Sequence, residues 1–269
     1  MKYQYGFIGT GNMGAALAAA VCRKVPASAV AVSNRSPEKA KALAEKLGCV
    51  FTTNEDIAQN SDCIVLGVKP QMLEGVLDSI KYSLDECGKQ LLVTMAAGVT
   101  METLSGMAGG SHPIIRIMPN TPVAIGAGVI LAAKNDFVPE AQFEAFMEDF
   151  SEAGTLKALD EDLIDAGSVV SGCGPAYVYM YIDALAKAGE KLGLSYEMAA
   201  DLAKATVKGS ADLSEVSPNT LEELRVAVCS PGGSTIEGVR SFQASDLNDI
   251  VEDALTAAFN RTKELAAGK

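Results

Sequence analysis

The sequence holds a single histidine, His112. That excludes multi-histidine zinc sites and most metalloenzyme designs, and no metal site is expected. The six cysteines, Cys22, Cys49, Cys63, Cys87, Cys173 and Cys229, contain no C-x-x-C pair and are scattered along the chain. At this size they read as reduced, mostly buried thiols of a cytosolic protein rather than a disulfide framework. Basic residues are in deficit: 22 Lys and Arg against 34 Asp and Glu, for a net charge of −12. Neither nucleic acid nor an anionic membrane surface is then an expected partner, and an anionic ligand must be held by a local site acting against the global field. No apolar run reaches the ~20 residues that span a bilayer. The longest candidate, residues 124–133, contains Gly126 and Gly128. The N-terminus does not read as a signal peptide, because the apolar residues 5–8 meet a glycine-rich stretch at once. The expected address is the cytoplasm.

What is present is globular: 48% of residues are hydrophobic and 21% charged, and 269 residues suit one large domain or two modest ones. Strand and helix signals alternate over the first 135 or so residues. Strands are predicted at 5–8, 30–32, 63–68, 91–95 and 114–118, with helices at 13–22, 37–47 and 72–80. This alternation implies an α/β protein with a mostly parallel sheet covered by helices. After about residue 160 only helices are predicted, at 162–170, 175–192, 196–213, 220–228, 235–241 and 245–265. The division falls between 1–160 and 161–269. The 175–192 helix is apolar or aromatic on all sides around Tyr177, Tyr179, Met180 and Tyr181. Such a helix must be surrounded by protein. About 100 helical residues barely bury one alone, which favours pairing of two such domains.

Gly9-Thr10-Gly11-Asn12-Met13-Gly14 is a G-x-G-x-x-G between a predicted strand and helix, the context that makes it a dinucleotide fingerprint. Gly9 permits the tight turn, Gly11 lets a pyrophosphate approach, Gly14 lets the helix pack closely, and the helix N-terminus offers N–H groups to phosphate. After the second strand stands Asn34-Arg35-Ser36 where an NAD site usually carries a carboxylate. A guanidinium among neutral donors suits a 2′-phosphate, so NADPH is the expected cofactor, with NADH weaker. Asn54 adds a ribose or adenine contact. Val68-Lys69-Pro70 and Ala96-Ala97-Gly98-Val99 follow later strands and should also face the cofactor, because open α/β sheets bind ligands beyond the carboxyl ends of their strands.

Three further loops stand out. Met118-Pro119-Asn120-Thr121-Pro122 ends a strand. Ser171-Gly172-Cys173-Gly174-Pro175 precedes the apolar helix, with Pro175 in its first turn. Ser230-Pro231-Gly232-Gly233-Ser234-Thr235-Ile236-Glu237 joins a glycine turn to an expected capping box between Ser234 and Glu237. Its exposed N–H groups beside a helix N-terminus would suit a carboxylate, although an ordinary interhelical turn reads equally well from physics alone.

Taken in this order, Gly6-Phe7-Ile8-Gly9-x-Gly11-Asn12-Met13, Val68-Lys69-Pro70, Ala96-Ala97-Gly98-Val99, Met118-Pro119-Asn120-Thr121-Pro122, Ser171-Gly172-Cys173-Gly174-Pro175-Ala176-Tyr177 and Ser230-Pro231-Gly232-Gly233-x-Thr235 resemble the motifs of pyrroline-5-carboxylate reductases. The resemblance covers nearly the whole chain, and the Ser-Pro-Gly-Gly-x-Thr block is its most specific part. It implies a Rossmann domain followed by a helical domain that interlocks with a second subunit, as a homodimer or a ring of dimers. It implies an oxidoreductase acting on a CH–NH bond: NAD(P)H reduces the cyclic imine 1-pyrroline-5-carboxylate to L-proline, the last step of proline biosynthesis. The resemblance also implies that Gly233, Ser234 and Thr235 bind the imine carboxylate, with the Thr235 hydroxyl facing the ring nitrogen. Glu161 and Asn120 would belong to the substrate pocket. Val226 departs from the family, which often has Asp there as a cofactor contact.

The chemistry agrees. An imine is more basic than a ketone and can arrive protonated, so orientation and a hydrogen-bond partner suffice without a catalytic histidine. Two other readings stand beside this one. A β-hydroxyacid dehydrogenase would carry a lysine where Val178 stands, and Lys187 lies too far along the helix to replace it. A non-catalytic NADP sensor would have no need of the Ser-Pro-Gly-Gly-x-Thr turn.

Overall fold

The computed structural model describes residues 2–87 and 90–266, with side chains left out of account at 85–87. The side chain of Cys87 therefore lies outside the described residues. Of the other cysteines only Cys63 is buried, while Cys22, Cys49, Cys173 and Cys229 are half-buried, so the expectation of mostly buried thiols is corrected.

Eight strands form one sheet: β1 (Tyr3–Ile8), β2 (Val30–Ser33), β3 (Val50–Phe51), β4 (Ser61–Leu66), β5 (Leu91–Thr94), β6 (Ile114–Pro119), β7 (Gly128–Lys134) and β8 (Gly154–Ala158). Their spatial order is β3-β2-β1-β4-β5-β6-β7-β8. Every neighbouring pair is parallel except β6–β7. Helices α1 (Asn12–Val21), α2 (Pro37–Leu47), α3 (Asn54–Asn60), α4 (Pro70–Cys87), α5 (Met101–Ala108) and α6 (Glu140–Asp149) alternate with the strands, and α7 (Glu161–Ser171) follows β8.

Both faces of the sheet are apolar because alternate strand residues point to opposite sides. Phe7, Val65, Val93 and Ile115 share one core with Leu17 and Val21 of α1 and Phe143 and Phe146 of α6. Ile8, Ile64, Leu92 and Ile114 share the other with Ile57 of α3, Leu73 and Leu77 of α4, Leu104 of α5 and Ile164 of α7. The parallel strands read as continuous apolar runs for this reason.

The sequence signals missed β3, α3, α5, α6, β7 and β8. β3 is only two residues long, α3 is a polar segment, and β7 occupies most of the apolar stretch weighed above as a membrane candidate. No helix among the described residues is long and apolar enough to cross a membrane.

The helical part comprises α8 (Gly174–Lys191), α9 (Tyr196–Val216), α10 (Leu221–Ala227), α11 (Ser234–Ala244) and α12 (Leu247–Ala266). The chain divides into two compact units: one runs to Cys173 and takes in the chain again from Phe259, and the other is Gly174–Ala258. Helix α7 thus packs with the sheet although it opens the helical run. In the second unit only Ala186, Ala199 and Ala203 are buried apolar residues. Tyr179 and Met180 of α8 are 61% and 70% exposed in the single chain.

Phe146 is 1% exposed and its ring lies 4.4 Å from that of Phe150. Phe146→Ala should cost about 3–5 kcal/mol, read as a lower denaturation midpoint of the full chain at constant slope.

Candidate active site

The strand order reverses between β1 and β4, and a cleft of about 570 Å³ opens at the carboxyl ends of these strands. Gly9 has φ +97°, a left-handed conformation that favours glycine, and a Cβ there would meet Gly67 backbone atoms at 2.8 Å. A Cβ on Gly14 would collide with the Gly9 carbonyl, whereas Gly11 faces open space. The geometry leaves no room for a side chain at Gly9 or Gly14 and leaves open space at Gly11.

Helix α1 has no side-chain cap and no acidic residue in its first turn, so its N–H groups stay available to an anion. Thr10 is buried with an Oγ1 that has no hydrogen-bond partner among the described residues. An orphaned hydroxyl, open space at Gly11 and an uncapped helix fit a dinucleotide pyrophosphate.

Beyond β2, Asn34, Arg35 and Ser36 line the same cleft, together with Asn54, whose Oδ1 accepts the Ser33 hydroxyl at 2.6 Å. Val68 and Lys69 line it from the loop after β4. Sequence reasoning missed Lys39, a second cation beside Arg35. Its place in the first turn of α2, four residues after Arg35, was the available signal. Met72, Val76 and Gly67 also line the cleft and were not foreseen.

Five expected cofactor residues are not among the cleft walls. Met13 packs against the core, Gly14 lies buried beneath the loop, and Pro70 opens α4. Ala96 is buried, its N–H donating to Thr94 Oγ1 at 3.2 Å, and Ala97 is exposed beyond β5.

Glu161 begins α7. Its Oε1 accepts the Met101 N–H at 2.7 Å and lies 3.4 Å from Arg116 Nη1. Arg116 is 3% exposed and donates through Nη2 to Asp165 Oδ1 at 2.7 Å. Asn120 is used differently from the expectation of a substrate ligand. Its Nδ2 donates to the Ser171 carbonyl at 2.9 Å and its Oδ1 accepts the Val129 N–H at 2.8 Å. The buried amide joins β6 to β7 and to the end of α7, so this residue is corrected to a structural tie.

In the helical unit, the Gly233 N–H donates to the Ser230 carbonyl at 3.0 Å, closing the turn that leads into α11. Gly233 itself caps α11 and no side-chain hydrogen bond is made there, so the expected Ser234–Glu237 capping box is not formed. Ser234 and Thr235 instead occupy the first two helical positions, where N–H groups lack intrahelical acceptors. A true capping box is found at α10, between Thr220 and Glu223. Val226 sits exposed in α10 with no polar side-chain atom to offer a cofactor.

The chain matches known proteins over nearly its whole length. A pyrroline-5-carboxylate reductase of Pseudomonas aeruginosa is 39% identical over 266 residues, covering 97% of this chain and 96% of that protein. This chain belongs to the pyrroline-5-carboxylate reductase family. The family's dimerisation model matches residues 161–265. A model described as NADP oxidoreductase coenzyme F420-dependent matches residues 4–98. Among solved structures, a pyrroline-5-carboxylate reductase from Coxiella burnetii superposes with a TM-score of 0.92 at 34% identity, covering 98% of this chain and 99% of that one. The Plasmodium falciparum pyrroline carboxylate reductase, solved with NADP bound, gives 0.86 at 30% identity, with 98% of each chain covered. The family's oxidoreductase fold thus extends over both units of this chain.

Gly11→Val separates folding from binding, because the new side chain enters open space in the protein and occupies the path of the pyrophosphate. NADPH affinity, measured by titration, should fall about tenfold or more (~1.4 kcal/mol) with the thermal midpoint held.

Proposed function

We propose that this chain is an NAD(P)H-dependent pyrroline-5-carboxylate reductase, acting on a CH–NH bond and giving L-proline in proline biosynthesis. The observation that carries this reading is full-length membership of the family together with an uncapped Gly233-Ser234-Thr235 helix start. Residues 1–160 form the dinucleotide-binding domain and 161–269 the dimerisation and substrate domain. The cytoplasm is the compartment.

When bound, the dinucleotide supplies the hydride to the carbon of the C=N bond. The N–H groups at Ser234 and Thr235 hold the imine carboxylate, favoured by the helix N-terminus, while the Gly233 N–H closes the turn on the Ser230 carbonyl. The Thr235 hydroxyl orients the ring nitrogen, which arrives protonated and retains its proton as the amine of the product. Arg35 and Lys39 hold the 2′-phosphate, which favours NADPH.

The helical unit supports a homodimer, because three buried alanines give it no core of its own. A second copy covers the exposed face of α8. Against the β-hydroxyacid reading, Val178 lies where a lysine is required, and Lys187 is engaged with Asp183 at 2.7 Å.

Purified protein should oxidise NADPH with pyrroline-5-carboxylate, yield proline, and use NADH less well. Nucleotide binding without turnover would point to a sensor, and turnover of β-hydroxyacids alone to the other enzyme class. Thr235→Ala should keep NADPH affinity and lose about tenfold or more in kcat/KM (~1.4 kcal/mol), measured by steady-state kinetics. Arg35→Ala should narrow the preference for NADPH over NADH in the same assay.

A further inference from the structure

Two cysteines distant in sequence meet at the end of the sheet unit away from the dinucleotide cleft. Cys22 caps the end of α1, and Cys49 follows Gly48, the left-handed residue that ends α2. Both helices begin beside the cleft and run away from it, so about 15 Å of helix separates each thiol from the cleft walls. Both lie over one face of the sheet: Cys22 and Cys49 pack against the core that holds Leu17 and Ala44. The backbone shows the same approach, since a Cβ on Gly48 would stand 3.9 Å from the Ala27 Cβ in the segment after α1.

The two side chains are hydrogen-bonded to each other. That bond makes the thiols unequal. It holds Cys49 below the ordinary thiol value, because the donated Cys22 proton stabilises a thiolate, although partial burial opposes this. The same bond, together with burial, raises Cys22 and keeps it protonated. Both are half-buried and so within reach of a small uncharged oxidant, whereas Cys63 of the same core is enclosed and burial pushes its thiol up. Neither lies within a strand. Cys49 precedes β3, a two-residue strand at the sheet edge, so a small local shift suffices to join the sulfurs.

We propose that Cys22 and Cys49 form a modification site, a thiol pair that hydrogen peroxide converts to a reversible disulfide. The Cys49 sulfur attacks one peroxide oxygen, the O–O bond breaks, and the departing hydroxide takes a proton and leaves as water. The Cys22 sulfur then attacks the sulfenic sulfur of Cys49 and forms the S–S bond. The sulfenic oxygen leaves as water with the Cys22 proton. The two thiols lose two electrons in all, and the peroxide gains them. The cross-link closes a loop that contains β2 and residues 34–39, but neither cysteine is a cleft wall. It spares Cys49 from irreversible oxidation and braces α1 against α2 while leaving the cofactor site open.

The test exposes the reduced full chain to hydrogen peroxide. Two of its six thiols should disappear, and peptide mapping should find residues 22 and 49 linked within one chain. The thermal midpoint should rise by several degrees, and a dithiol reductant should reverse both changes. NADPH affinity should change by less than about twofold. Cys22→Ser keeps a hydrogen-bond donor but has no second sulfur, so a sulfenic-acid probe should label Cys49 and excess peroxide should carry it to the sulfinic acid. Cys49→Ser should leave Cys22 labelled about tenfold more slowly. Six thiols surviving peroxide, linkage through other cysteines, or sulfinic acid at Cys49 of the parent chain overturns the pair. Equally fast labelling of the remaining thiol in the two serine variants overturns the order of attack.

Discussion

Backbone-to-backbone contact at the strand-order reversal is the constraint on which the nucleotide half depends. The turn after β1, the start of α1 and the loop after β4 come together at Gly9, Gly14 and Gly67, where no side chain fits. With glycine there, α1 enters directly over the sheet and its first N–H groups face the cleft. Any Cβ at Gly9 or Gly14 would push apart the elements whose proximity makes the cleft. Because the rest of that cleft is formed by the ends of β2 and β4, its polar residues inherit their places from this contact.

The helical unit works under the opposite constraint. It has long regular helices and almost no buried apolar residue of its own. Local propensity and caps such as Ser195 and Thr220 shape its helices. Tertiary burial within one chain does not stabilise them, since the residues that would form a core lie on the surface. An apolar helix exposed in a single chain is an interface in waiting. This gives a physical sense to a dimerisation model over these residues. The turn proposed to hold the substrate starts a helix within the same unit, so the proposed imine contacts and the dimerisation model fall on one stretch of sequence.

Charge is used sparingly and locally. The chain is acidic overall, yet Arg35 and Lys39 gather at the mouth of the cleft, where an added phosphate has to be held against the global field. Arg116 is deeper and answers to carboxylates of the protein itself. The two arginines thus differ in burial: one lines the open cleft, the other is enclosed against carboxylates of the chain itself.

Much was legible in the sequence where the cause is local. The glycine fingerprint, the lack of a carboxylate after β2, the apolar parallel strands and the turn before α11 all follow from residue type and short spacing. The family resemblance, carried by the same motifs, extended this reading to the substrate and the reaction. What the tertiary structure decided depends on partners distant in sequence. Asn120 resembles a ligand until Ser171 and Val129 take both ends of its amide. Lys39 is one surface lysine among many until the fold sets it in the wall of the cleft that Arg35 also lines. Ser234 and Glu237 have capping-box spacing, but the helix begins at Ser234 and not after it. Arg116 and Asp165 are far apart along the chain and show no motif. Local patterns fix elements and turns because neighbouring residues alone set backbone preference. The meeting of charges across a sheet is set by packing, which short-range patterns do not encode.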